Sequence, residues 1–461
     1  MLTAKNIFRF VNICVMAAVM AGCGSGGTVP PSNPSIKSFT AVPSIASAGQ
    51  DTSLIMDFSG GTGRLDNGVV TRITFGNMTT FKASATTLFT LSVTNKVGQK
   101  VAQSVLVTLS PIQGKFSSSV GRTVEPRDNY TATLLPNNTV LLAGGRDGIP
   151  GHYRNSAELY NPATDTFART AGFMAYSTAL HAATLLKNGK VLITGGWDGR
   201  QAHNDAQLYD PATGTFDFTR DLTNPLRPVT HMNRVRSSHT STLLNDGTVL
   251  ITGGYDGAVP IPSAELFHPD TGLFELLPAM ATARYGHTAT LMNTGKVFIV
   301  GGSSSSTVCE IYDPATKTFR TLGARMTYLR SFHTATLLSA DPNDTYAKVL
   351  VAGGSTGPAA EVFDPGTETF TLTDPMTTVR TYHTATLLPD TRVLLTGGSD
   401  DSAEFYDPTT RTFAGTLRSM KESRGSHQAV LLHNGPNLYN LPDIVLVVGG
   451  TGFINRADLF R

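Results

Sequence analysis

Six histidines, His181, His239, His287, His333, His383 and His427, recur roughly every 50 residues, and Tyr130 stands at the same register ahead of them. Imidazoles in such a series could ligate a metal or move protons. An arginine sits three residues before nearly every one of these positions, at Arg127, Arg236, Arg284, Arg330, Arg380 and Arg424, with Thr178 as the exception. Acids recur further along each unit at Glu158, Glu265, Glu310, Glu361, Glu404 and Asp458, with Gln207 as the exception. A residue present in every unit serves the unit. The histidines are therefore expected to hydrogen-bond between units. The one unit that lacks the arginine also lacks the acid, which predicts an ion pair within each of the others, since a lone buried charge is costly. Cys309 occupies a register that is alanine in the other six units, so a small packed residue is expected there and no nucleophile.

Chemistry specific to this chain is expected where the units differ. Three connections are long and polar-aromatic: one carries Arg146, Asp147 and Tyr153, the next Trp197, Asp198 and Arg200, the third Tyr255 and Asp256. Between Phe216 and His239 the chain runs 23 residues, against 13 or 14 elsewhere, and the insertion contains Arg227, His231 and Arg234. Aromatic and charged side chains on rigidly supported loops suit a glycan or a protein partner.

The elements that would position them are strands. Glycine pairs close apolar runs at Gly144-Gly145, Gly195-Gly196, Gly253-Gly254, Gly301-Gly302, Gly353-Gly354, Gly397-Gly398 and Gly449-Gly450. Before each pair lies a segment of the type His333-Thr-Ala-Thr-Leu-Leu338, and after it an alternating strand, an Asp-Pro turn and an aromatic, as in Tyr312-Asp-Pro-Ala-Thr-Lys-Thr-Phe319. Four strands per unit cannot bury both faces alone, so neighbours must stack, and a circle leaves no long edge. The pattern resembles the kelch repeat over residues 112–461, which implies an all-β, seven-bladed kelch-type β-propeller. The seventh unit ends without its fourth strand, while residues 115–120 lie unused ahead of the first, so these are expected to close the last blade. Galactose oxidase shares the propeller family, and its copper-radical chemistry needs a cysteine crosslinked to tyrosine and a histidine from a following domain. Here Cys309 fits the alanine register and the chain ends with the last blade, so no cofactor and no metal is expected.

Upstream, residues 1–22 form a signal with basic Lys5 and Arg9 before an apolar run. Met20-Ala21-Gly22-Cys23 resembles a bacterial lipobox, which implies lipidation of Cys23, a membrane anchor and, with Gly24 following, an outer-membrane lipoprotein facing the periplasm or the exterior. Residues 23–35 read as a flexible tether. Residues 36–111 show short alternating runs, about seven strands, and Thr87–Asn95 with Gly98 resembles the late hairpin of a small immunoglobulin-like β-sandwich, a spacer. Removing residues 1–22 takes away two basic residues and no acidic one, so the formal charge falls from +2 to 0 and gives no general attraction to nucleic acid. No zincin, nucleophile-elbow or phosphate-loop motif is present. The expected function is a binding scaffold of the cell envelope; the alternative is a sugar-processing enzyme of the kelch isomerase or oxidase-like kind.

Overall fold

The computed structural model describes residues 33–42, 45–46, 51–59, 62–66, 71–73, 78–82, 87–109, 114–224, 229–398, 400–432, 444–452 and 454–461; the segment read as a signal, Cys23, most of the segment read as a tether and Arg227 lie outside them. All described secondary structure is β-strand with connecting turns. The chain divides into two compact units, the first drawn from residues up to Thr108 and the second essentially 109–461.

The first unit has two sheets. Ser35–Val42, Asp51–Ser59 and Met78–Lys82 form one; Ile45–Ala46, Lys100–Leu109, Thr87–Thr94, Thr62–Asp66 and Thr71–Ile73 form the other in that order. That makes eight strands where the pattern predicts about seven, because Ile45–Ala46 is too short to show any alternation. Phe39, Leu54, Phe58, Phe89, Leu91 and Val93 are buried in this unit, on alternate positions of their strands.

The second unit consists of seven four-stranded antiparallel sheets. Sheet one is Thr131–Leu134, Val140–Ala143, Ala157–Asn161 and Thr166–Arg169. Sheets two to six repeat it over residues 182–218, 240–276, 288–325, 334–372 and 384–415. Sheet seven takes Gln428–Leu432, Ile444–Val448 and Arg456–Phe460 from the chain's end and its fourth strand, Phe116–Arg122, from the front. The first strand of each sheet neighbours that of the next, and the seventh neighbours the first, so the series is a closed ring.

Second strands such as Val191–Thr194 and Val249–Thr252 are apolar without alternation because both faces are covered. Val140 and Leu142 pack with Leu446 and Val448 of sheet seven, while Leu141 and Ala143 pack with Val191 and Ile193 of sheet two. The junction between sheets seven and one is thus as apolar as the others.

Closure rests on aromatic pairs across the third and fourth strands. Tyr312 meets Phe319 with ring centroids 5.0 Å apart, and Phe460 meets Phe116 at 5.1 Å, although the latter pair joins the two ends of the unit. Backbone bonds between Lys115 and Arg461 in both directions extend the pairing. Replacing the buried Phe116 by alanine is expected to cost about 3–5 kcal/mol, read as a lower urea midpoint. On the same strand Val120 is 90 % exposed, and Val120→Ala should change stability by less than about 0.5 kcal/mol.

Candidate functional site

The recurrent histidines are scaffold. His181 Nε2 lies 3.0 Å from Thr131 Oγ1 of the preceding sheet, and His239, His287, His333, His383 and His427 repeat that bond to Thr194, Thr240, Thr288, Thr334 and Thr384. Tyr130 takes the same part at the last junction, its hydroxyl donating to the Val448 carbonyl of sheet seven. The glycine pairs recur with the histidines because they touch: Gly301 has φ +71°, and a Cβ there would lie 2.3 Å from His333 Cε1. Burial, and secondly the nearby Arg127, push His181 down to about 4; burial, and secondly the arginine three residues before each, hold His287, His383 and His427 near 3 and keep His239 and His333 well below the ordinary histidine value.

The predicted ion pairs form within sheets. Arg127–Glu158, Arg236–Glu265, Arg284–Glu310, Arg330–Glu361, Arg380–Glu404 and Arg424–Asp458 lie 2.6–3.1 Å apart with essentially no solvent exposure. Each arginine Nη1 also donates to the carbonyl of the first glycine of a pair, as Arg284 does to Gly301 at 2.7 Å. The exception keeps both services without charge. Thr178 Oγ1 donates to the Gly195 carbonyl at 3.2 Å, and Gln207 Oε1 accepts from the Ala175 N–H at 2.8 Å, as Glu310 accepts from Ala281. These guanidinium groups are therefore structural and present no cationic ring to a ligand.

Between each arginine and the following histidine or Tyr130 two residues vary. The second of them, Asn129, Leu180, Ser238, Gly286, Phe332, Tyr382 or Ser426, adopts positive φ in every sheet. Their peptides form a circuit: each of these N–H groups donates to the carbonyl of its counterpart in the preceding sheet, and Asn129 donates to Ser426 to complete it, over 2.7–3.2 Å. For Leu180, Phe332 and Tyr382 the left-handed backbone costs about 1 kcal/mol each. Strain of this kind in bulky residues points to what their side chains do.

Above this circuit lies a bowl of about 690 Å³, and a second cavity of about 440 Å³ continues past it among the histidines. Six aromatics line the bowl: Tyr153, Trp197, Tyr255, Tyr285, Phe332 and Tyr382. Tyr255 and Tyr285 have centroids 5.5 Å apart, Tyr285 and Phe332 5.8 Å, Phe332 and Tyr382 4.3 Å in a stack. On the other side the loops interlock, since the Tyr153 ring lies over Gly199 and Trp197 over Gly257, where a Cβ would come within 2.6 and 3.3 Å. Arg146, Asn129, Ser237, Ser238, Ser426 and Thr451 supply polar groups.

Of the residues proposed from sequence, Arg146, Tyr153, Trp197 and Tyr255 meet in this bowl. Arg146, Trp197 and Tyr255 share one register, each bridged to the first variable residue of its sheet, Asp128, Ala179 and Ser237. Asp147, Asp198 and Asp256 instead shape their loops, each accepting backbone N–H groups two or three residues on, such as Ala258 and Val259 for Asp256 at 2.8 Å. Arg200 and Arg234 are exposed and outside the lining. His231 Nδ1 lies 3.0 Å from Asp205, which with Asp198 also flanks His203, itself stacked on Tyr176. This braces the insertion's return limb against sheet two. Tyr285, Phe332 and Tyr382 were missed, although their signal was present as aromatics at the two variable places inside the constant Arg-to-His frame.

Cys309 is fully buried against the Thr307 carbonyl among Phe298, Leu322 and Phe363, and burial pushes its thiol up to about 12.

A kelch-motif pattern matches residues 180–223. No curated protein matches the chain. Among solved structures, it is similar to a fungal alcohol oxidase of the AA5 family in complex with copper, at TM-score 0.58 and 15% identity, covering 75% of this chain and 76% of that one. Among the described residues no group of three or more histidine, cysteine, aspartate or glutamate side chains is arranged to hold a metal. Motif, topology and structural likeness together establish an all-β fold of the kelch and galactose oxidase-like kind.

Proposed function

We propose that the chain is a lipid-anchored binding scaffold of the cell envelope, with an immunoglobulin-like spacer and a seven-bladed kelch-type propeller that takes a glycan into the bowl over its central channel. The observation that carries this reading is the bowl itself: six aromatic rings and several hydroxyls face one cavity from a backbone held by its own hydrogen-bonded circuit. Sugar rings offer C–H faces to aromatic surfaces and hydroxyls to serines and asparagines, and a preformed concave site keeps the ordering cost of binding low.

Trp197→Ala combined with Tyr255→Ala is expected to weaken glycan binding at least about tenfold on an array or by calorimetry, with the fold intact by circular dichroism. Unchanged binding removes the bowl as the site. Anchoring is supported by Met20-Ala21-Gly22-Cys23. Cys23→Ser should abolish incorporation of labelled fatty acid and release the protein from the membrane fraction; continued lipid labelling would refute the anchor.

A further inference from the structure

Resting on the bowl as a glycan site, we infer that its ligand is an acidic sugar whose carboxylate docks on the guanidinium of Arg146. Arg146 is the single charged side chain among the described residues that line the bowl. Its Nε donates to Asp128 Oδ1 at 2.7 Å, and its side chain remains 43% exposed. Asp128 is buried and accepts a second bond from Asn129 Nδ2 at 2.8 Å, so the acid is fixed and fixes the arginine in turn.

Comparison among the sheets shows what this pair is for. The register of Asp128 holds Ala179, Ser237, Tyr285, Ser331, Thr381 and Gly425 elsewhere, and that of Arg146 holds Trp197, Tyr255, Ser303, Ser355, Ser399 and Thr451. None of these sheets needs a charge at either place to close. The acid and the cation occur together once, at the edge of the bowl, and Asp128 acts as a positioning residue. With Nε engaged by Asp128, the guanidinium meets a ligand through its Nη edge, where Tyr153 is its protein neighbour, and a carboxylate matches such an edge with two parallel N–H···O bonds. The hydroxyl of Tyr153 beside the same guanidinium adds a further polar partner at that edge. Among the described lining residues no other side chain is charged, Asp128 lies buried behind Arg146, and the six rings offer the rest of the sugar an apolar wall.

The test is an array printed with matched pairs, uronic-acid-terminated oligosaccharides and their carboxyl-reduced neutral forms. It is probed with the wild type and with Asp128→Asn plus Arg146→Gln, which removes both charges so that neither is orphaned. The expected result is binding of acidic forms about tenfold or more above their neutral partners by the wild type. In the double variant that preference should fall to within about twofold while neutral binding persists, which shows the bowl intact. Equal binding of both forms by the wild type overturns the acidic ligand and leaves the glycan reading standing. A preference that survives in the double variant overturns Arg146 as its source. Binding of neither form overturns both readings together.

Discussion

Acidification from pH 7 to pH 5 is expected to lower the stability of the seven-sheet unit steeply, by up to roughly 8 kcal/mol per pH unit at the steepest point, and to unfold it near the lower end of that range. An unfolded histidine takes up a proton near pH 6.5, whereas the six buried rings hold theirs off until about 4 for His181 and about 3 for His287, His383 and His427. Between those values the unfolded chain binds more protons than the folded one. Stability is thus fully present above pH 6.5 and is lost as pH falls toward the folded values, at about 1.4 kcal/mol per pH unit for each ring. Nothing within the fold relieves this cost. Nε2 is engaged with a threonine hydroxyl, and Nδ1 of all six rings is buried with no protein partner. His203 works in the opposite sense, because its bond to Asp205 raises its value, but it is one against six. Urea midpoints at pH 7, 6 and 5 measure the effect, and the slope counts the protons. In His383→Gln the count should fall by one. A midpoint that stays flat to pH 5 would contradict the account.

The second large effect concerns the buried ion pairs. Arg284→Thr alone should cost about 3–5 kcal/mol, because it strands Glu310 without a counter-charge in a site closed to water. Glu310→Gln alone strands the guanidinium and should cost a similar amount. Made together, the two changes copy the pair that sheet two already carries, Thr178 with Gln207, and should restore stability to within about 1–2 kcal/mol of the wild type. Equilibrium unfolding of the four proteins gives the coupling energy directly. Additive losses would give no coupling energy and would contradict the stranded charge as the source of the cost.

Much of this was legible in the residues because repetition supplies a comparison within one chain. The joint absence of arginine and acid in one unit identified the pairs, and the missing fourth strand of the last unit identified Phe116 as its replacement. Loop length pointed to Trp197 and Tyr255, since an inserted segment shows as a break in spacing. Tyr285, Phe332 and Tyr382 break no spacing. For Phe332 and Tyr382 participation depends on a left-handed backbone that carries the side chain into the bowl, and φ is not written in residue type when the residue is phenylalanine or tyrosine; Tyr285 instead stands just before the left-handed Gly286. Asp147, Asp198 and Asp256 misled for the converse reason: an aspartate two or three residues before a turn looks the same whether its carboxylate serves a ligand or its own loop.

The circuit of seven peptides at the floor of the bowl separates two tasks that usually compete. Its backbone atoms are spent on one another, so the identity of each side chain is free of any duty to the ring: asparagine, leucine, serine, glycine, phenylalanine and tyrosine all occupy equivalent stations. A descendant gene could therefore exchange these side chains one at a time and change what is recognised while inheriting the same scaffold. Divergence of taste without loss of shape is what such an arrangement permits.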